Sequence, residues 1–400
     1  MNNHRWTFTS RFRAGAYGWK SSQLACKRVK EAVSEIKKVA RKDQTLAAEG
    51  AVKLLGRIAP AFQDVDTSSG ALGAAVNNAV LELATVIGNA PLTPSARNKL
   101  LDQLWQALVD DAFGYIDICE EVWGEMCGSP ETAADWAEKL RPAFLSMLEP
   151  GGRYIPGYYA FLSCLLSAQR YDELLEQIAR IPRPSWSERA YGVRALVCQG
   201  KKAEAIRYAE ASTGINVDPL RIAQVCEEIL LSSGFADDAY ARYALAANRK
   251  NSQLATFRAI AKKYPGVSKE TILSDLIRST PGEEGKWFAT AKDLGMFDLA
   301  LDLANTSPCA HTTLCRAARD FPEKEPEFAL GAAQAALRWL LAGKIYETDT
   351  IEVGNAVTLA LLAGERLGRR DEVVAWLNES VAAGVDKFVV GALRERLKRV

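Results

Sequence analysis

The feature that most constrains the fold is a turn that recurs along the second half of the chain. In ALVCQGKKAEAIRYAE, ILLSSGFADDAYARYA and TAKDLGMFDLALDLAN, an apolar helical stretch ends at Gly200, Gly234 and Gly295, and alanine follows five positions later, at Ala205, Ala239 and Ala300. Glycine reaches the left-handed backbone that reverses a chain after a helix. The small alanine lets the returning helix come close. Two looser copies surround Gln169 (LLSAQRYDELLEQI) and Gly368 (GERLGRRDEVVAWL). A helix pair of this kind has an apolar face that it cannot cover alone, so pairs must stack. The pattern predicts an all-α chain whose second half is a series of stacked antiparallel helix pairs.

Gly200 and Gly234 stand 34 residues apart, a period that belongs to helix–turn–helix repeats. These segments resemble the helix A–turn–helix B core of tetratricopeptide repeats. The resemblance covers roughly residues 153–385 and is degenerate, because the other turns are spaced by 31, 61 and 73 residues. It implies a tetratricopeptide-like α-solenoid, a right-handed superhelix whose helix A residues line a concave surface for a peptide or partner helix. Mapped from the turn residues, that face carries Arg194 in one repeat, Arg221, Gln224 and Glu228 in the next, Lys292 and Asp293 in another, and Glu365 and Arg366 in the last. Arginines among polar residues would suit a charged peptide or a terminal carboxylate. The same residues also read as an ordinary wetted surface. The wording of residues 8–43 further resembles that of uncharacterised bacterial helical-repeat proteins, which implies a bacterial cytoplasm and supplies no activity.

The rest of the chain also has helical period and recognisable helix starts. Thr93-Pro94 and Ser129-Pro130 each place a capping side chain before a proline at the first helical position. Ser185 with Glu188, Asp349 with Glu352, and Thr280 with Glu283 read as capping boxes. Breakers such as Glu149-Pro150-Gly151-Gly152 and Tyr264-Pro265-Gly266 separate the blocks. No run alternates with period two for long enough to predict a strand. The expected division is a basic aromatic arm over 1–21, an N-terminal helical region over 22–150 with no visible repeat, and helical repeats over 151–400.

Charge is balanced over the whole chain, with 50 Lys/Arg against 49 Asp/Glu, but it is not evenly spread. Residues 1–43 carry eleven basic residues and three acidic ones, a basic head on an acidic remainder. Within the first 20 residues Trp6, Phe8, Phe12, Tyr17 and Trp19 alternate with basic residues, and from Ser22 an amphipathic helical pattern begins. Three readings stay open for this head. Arg5, Arg11, Arg13, Lys20, Lys27, Arg28 and Lys30 are candidate phosphate contacts, with the aromatics stacking on unpaired bases. Alternatively, the head docks on the chain's own acidic body or an acidic partner. In the third reading it is a strap that caps the first helices.

No catalytic constellation emerges, and no metal or cofactor is expected. GEEGKW, at 282–287, ends in Gly-Lys but lacks P-loop spacing and a preceding strand, so it reads as a capping box opening a helix. Cys309, His311 and Cys315 lie within seven positions, but no second Cys/His pair offers the remaining zinc ligands. Asp110, Asp111, Asp117, Glu120, Glu121 and Glu125 form an acidic cluster, read as a solvated helix face or a patch for a basic partner. Eight dispersed cysteines without a C-x-x-C pair suit a reducing compartment. No secretory signal is visible, and the most apolar stretch, Ala71 to Ala90, is interrupted by Asn77, Asn78 and Glu82. The expectation is a non-catalytic cytoplasmic scaffold for a protein or peptide partner, with no membrane contact. The alternative is a nucleic-acid-binding protein using residues 1–43.

Overall fold

The computed structural model of this chain describes residues 4–149, 151, 155–212, 217–344 and 348–398. Pro150 and Gly152 of the expected breaker lie outside the described residues. Every regular element among the described residues is helical. Packing divides the chain into two units, Met1–Asp218 and Pro219–Val400.

The first unit holds α1 (Ser22–Ala40), α2 (Gln44–Phe62), α3 (Ala71–Gly88), α4 (Pro94–Val109), the short α5 (Ile118–Glu121) and α6 (Trp123–Met126), α7 (Pro130–Leu148), α8 (Tyr158–Ser167), α9 (Tyr171–Ala179), α10 (Trp186–Cys198) and α11 (Lys202–Glu210). Asp43, Thr93 and Ser129 cap α2, α4 and α7 by accepting from the backbone amides of Leu46, Ala96 and Thr132. Helix α2 is the centre of the N-terminal half: Ala51, Leu54, Leu55, Ile58 and Phe62 have no exposed surface. Helices α1 and α3 pack on it and on each other. Helix α3 is the one helix among the described residues long and apolar enough to span a membrane. Here its stripe of Leu72, Val76, Val80, Leu83 and Ile87 is fully buried in the core, while Asn77, Asn78 and Glu82 lie on its exposed side. The division expected at residue 150 falls inside this unit, where α7 and α8 pack along one another.

The second unit holds α12 (Pro219–Leu231), α13 (Ala236–Ala247), α14 (Gln253–Lys263), α15 (Lys269–Arg278), α16 (Phe288–Asp293), α17 (Phe297–Thr306), α18 (His311–Asp320), α19 (Pro326–Leu341), α20 (Thr350–Arg366), α21 (Arg370–Ala383) and α22 (Lys387–Leu397). The irregular spacing of the turns has a simple origin. The 61-residue interval between Gly234 and Gly295 contains a further pair, α14/α15, and the interval from Gly295 to Gly368 contains α18/α19. Their turns, around Pro265-Gly266 and 321–325, lack a left-handed glycine, so they are silent in the glycine pattern.

The five recognised turns share one hydrogen-bond scheme. At Gly200, Gly234, Gly295 and Gly368 φ lies between 68° and 81°, and Gln169 adopts 60°. In each, the next residue's amide donates back five positions, as Lys201 does to Leu196 (2.9 Å) and Arg170 to Leu165 (3.0 Å). The turn residue's own amide donates back three, as Gly200 does to Val197 (2.9 Å). This is the Schellman closure of a helix end. The returning helix starts at once and buries Ala205, Ala239 or Ala300 completely. In the last pair Val373 takes the alanine position, and helix A answers with Gly364, where a Cβ would stand 2.6 Å from a Val373 methyl. Both capping boxes at Ser185/Glu188 and Asp349/Glu352 are formed. The one expected at Thr280 is not. Thr280 instead donates its hydroxyl to Leu276 at the end of α15 and accepts from the Trp287 indole (2.8 Å), and residues 284–287 form a 3-10 turn.

Candidate functional site

The basic aromatic head is a strap. Trp6, Phe8, Phe12 and Tyr17 are at most 5% exposed. Their rings form a chain, with Phe12 and Tyr17 both reaching Phe62 of α2 at 5.5 and 5.0 Å between centroids. Helix α2 accommodates the Trp6 indole at Gly50, where a Cβ would fall 2.2 Å from the ring. Polar ties hold the strap down: Glu35 accepts from the Thr7 amide (2.7 Å) and hydroxyl, the Gly15 amide donates to the Pro60 carbonyl (2.9 Å), and Arg57 donates to the Phe12 carbonyl (3.2 Å). The stacking surface expected for unpaired bases is therefore inside the protein, apart from Trp19, which is 67% exposed.

The candidate phosphate contacts separate accordingly. Arg11 and Arg28 converge on Glu31 at 2.7 and 2.6 Å, and these two arginines hold its carboxyl below the usual carboxylate range. Arg5, Arg13, Lys20, Lys27 and Lys30 are exposed. Lys27 and Lys30 stand on α1 in one stripe with Lys37 and Lys38, and Arg41 follows as the C-cap of the helix.

The acidic cluster is a solvated face only in part: Asp110, Asp117, Glu121 and Glu125 are exposed, but two of its members are not. Asp111 and Glu120 are buried. Asp111 accepts from the amides of Phe113 and Ile116 (3.1 and 2.8 Å). Glu120 accepts from those of Gly157, Tyr159 and Ala160 (3.0, 3.1 and 3.4 Å), so its charge sits on the N-terminus of α8. Glu125 accepts from the Thr85 hydroxyl (2.8 Å). A run of acidic letters cannot show that amides far along the chain turn toward them.

Helix A residues fall in both units. Arg194, on α10, is exposed, with its guanidinium 5.9 Å from the Tyr191 ring. The other seven candidates belong to the second unit. Arg221 and Glu228 are exposed on α12, whereas Gln224 is half-buried and donates to the Ala247 carbonyl that ends α13 (3.2 Å). Asp293 pairs with Arg258 (2.8 Å), and Lys292 lies 5.5 Å from the centre of the Phe321 ring. Glu365 pairs with Arg370 (2.9 Å) and Arg366 with Glu323. Several of these polar residues thus tie neighbouring elements together.

Two buried polar centres, Arg97 and Glu227, escaped the sequence reading, and a third, Glu188, does more than the capping box expected of it. Arg97, 6% exposed, donates to the carbonyls of Ile87, Ala90 and Met126 (2.7, 2.5 and 3.0 Å), closing the ends of α3 and α6; burial lowers the pKa of its guanidinium. Glu188 accepts from the Ser185 amide and the hydroxyls of Tyr158 and Tyr159. Glu227, 1% exposed, accepts from Asn248, Lys263 and Tyr264 at 2.6–2.7 Å; burial, with this carboxylate, raises the Tyr264 hydroxyl. Of the two that escaped, Glu227 was the more legible, because it lies on the buried stripe of Ala223 and Leu230 at helical spacing. His311 and Cys315 are buried on α18, with His311 Nε2 3.0 Å from a Glu352 oxygen. No group of three or more possible metal ligands forms among the described residues.

No family model matches the chain, and no curated protein matches it. Among solved structures it is similar to the crystal structure of the APC/C hetero-tetramer Cut9-Hcn1, at 12% identity over 94% of this chain and 88% of that one, with a TM-score of 0.24. At that score the likeness carries no structural argument. The helix pairs and their shared closure define the class: an all-α protein of tetratricopeptide-like antiparallel helix pairs.

Proposed function

We propose that this chain is a non-catalytic scaffold that binds a protein or peptide partner through the exposed faces of its helix pairs. The observation that carries the reading is the serial repetition of one pair design, which sets side chains of successive A helices at the surface, Arg194, Arg221 and Glu228 among them. The buried acids support it: Asp111, Glu120, Glu188 and Glu227 each accept hydrogen bonds that hold neighbouring segments together. The reading includes a bacterial cytoplasmic setting, which rests on the wording of residues 8–43 and on dispersed free thiols. The test is affinity capture from a bacterial lysate with the full chain and with an Arg194→Glu/Arg221→Glu variant. A partner captured by the first and lost by the second supports the proposal; an identical set of proteins on both contradicts it.

A further inference from the structure

Helix α1 turns a basic ridge outward, and the groove between that ridge and α3 has the composition of a binding cleft. It has a volume of about 640 Å³. Val33 and Ala79, nearly buried, form its floor; Lys30, Lys38 and Arg41 stand on the α1 rim, and Asn78 with the 45%-exposed Leu81 stands on the α3 rim. Glu82 is the one carboxylate lining it, and Lys37 neutralises that charge at 2.7 Å. Lys30, Lys38 and Arg41 pair with no carboxylate among the described residues. The groove is therefore apolar at its base and carries uncompensated positive charge along one edge only.

We infer that this groove docks an amphipathic helix of a partner protein, one with aliphatic side chains on its seam and Asp or Glu along one edge. Charge complementarity selects the acidic edge, and the floor selects the seam, because three cations alone would bind any polyanion whereas an apolar floor adds nothing for a phosphate chain. The head's buried rings point the same way: a single-stranded nucleic acid lying here would meet lysines but no aromatic platform. On the α1 side the lining runs from Val29 to Arg41, about 18 Å along the helix direction, and offers a partner helix roughly three turns of rim. The inference deepens the scaffold reading by naming a surface and a partner chemistry, and it can be judged separately from Arg194 and Arg221.

The test is selection of helical peptides from a random phage-displayed library on the full chain, counter-selected on a Lys30→Glu/Lys38→Glu variant. Enriched peptides are expected to carry a helical apolar seam with acidic residues on one edge. Fluorescence anisotropy should show them binding at least tenfold more weakly to K30E/K38E and to the rim variant L81E, and unchanged to R194E/R221E. Circular dichroism confirms that each variant is folded. Selection of basic or non-periodic peptides overturns the inference, as does binding indifferent to both groove variants. So does tighter binding of a single-stranded oligonucleotide, or of phosphatidylserine vesicles, than of any enriched peptide. Loss of binding in R194E/R221E alone would support the helix A surface and refute this groove.

Discussion

Replacing Trp6 with alanine removes an indole that is 5% exposed and seated over Gly50 of α2. Truncating a buried tryptophan costs about 3–5 kcal/mol, since the lost transfer energy adds to the cavity left behind. In a unit of this size that lowers Tm by roughly 6 °C or more. Gly50 sharpens the prediction. In the wild-type chain Gly50→Ala places a Cβ 2.2 Å from the indole, an overpacking worth about 1–3 kcal/mol or more. In the Trp6→Ala background the same substitution enters open space and gains up to about 1 kcal/mol of helix propensity. The double-mutant cycle should therefore show a coupling of about 2 kcal/mol or more, with Gly50→Ala changing sign. Urea titration combined with hydrogen exchange of peptides from α1 and α2 reads the first unit by itself. A Trp6→Ala transition within about 1 kcal/mol of wild type would refute the strap, as would a Gly50→Ala effect equal in both backgrounds. If Trp6 served as a stacking platform for bases instead, its removal would weaken nucleic-acid binding and leave stability untouched.

Gln169 is the single described non-glycine residue with positive φ, so Gln169→Gly should stabilise the chain by about 0.5–1 kcal/mol, raising the urea midpoint; a lowered midpoint would contradict the turn assignment. Glu138 lies between Arg141 and Arg170, and their hydrogen bonds pull its carboxyl down to about 2. A depressed acid stabilises the fold at neutral pH and loses that contribution as pH falls from the ordinary carboxylate range through about 2. Glu138→Gln should thus cost at most about 1 kcal/mol at pH 7, because the pair is partly exposed, and thermal melts of the two proteins should converge in acid. Burial pushes the Cys309 thiol up to about 12 and Cys315 up to about 11, whereas Cys198 is exposed. Iodoacetamide should therefore modify Cys198 first in the native protein, as read by peptide mass spectrometry; equal rates at Cys309 would contradict that burial.

The helix pairs were legible because their closure depends on a residue type. A left-handed helix end selects glycine, and close approach selects alanine, so both leave letters at fixed spacing. The pairs α14/α15 and α18/α19 end without that conformation and therefore left no mark. Gln169 was readable only by analogy with its neighbours. The head's aromatics announced that they would pack, but not on what; Gly50, lying 44 positions from Trp6, looks like any other small helical residue until the indole is placed. Arg97 and Glu120 were invisible for a related reason. Their partners are main-chain carbonyls and amides, which exist at nearly every position and gain meaning only from the fold. The exposed cations of α1 were plain in the sequence, whereas the apolar floor beside them required α3 to be laid against α1.

Affinity capture with three baits tests the central claim, that this chain acts by holding a partner on its helix surfaces, most directly. The baits are the full chain, its R194E/R221E variant and its K30E/K38E variant, each verified as folded, with captured proteins quantified by mass spectrometry and their affinities measured after purification. The scaffold reading predicts a partner whose affinity falls at least tenfold in R194E/R221E, and the groove inference one whose affinity falls at least tenfold in K30E/K38E. A partner set and affinities identical across all three baits would contradict both.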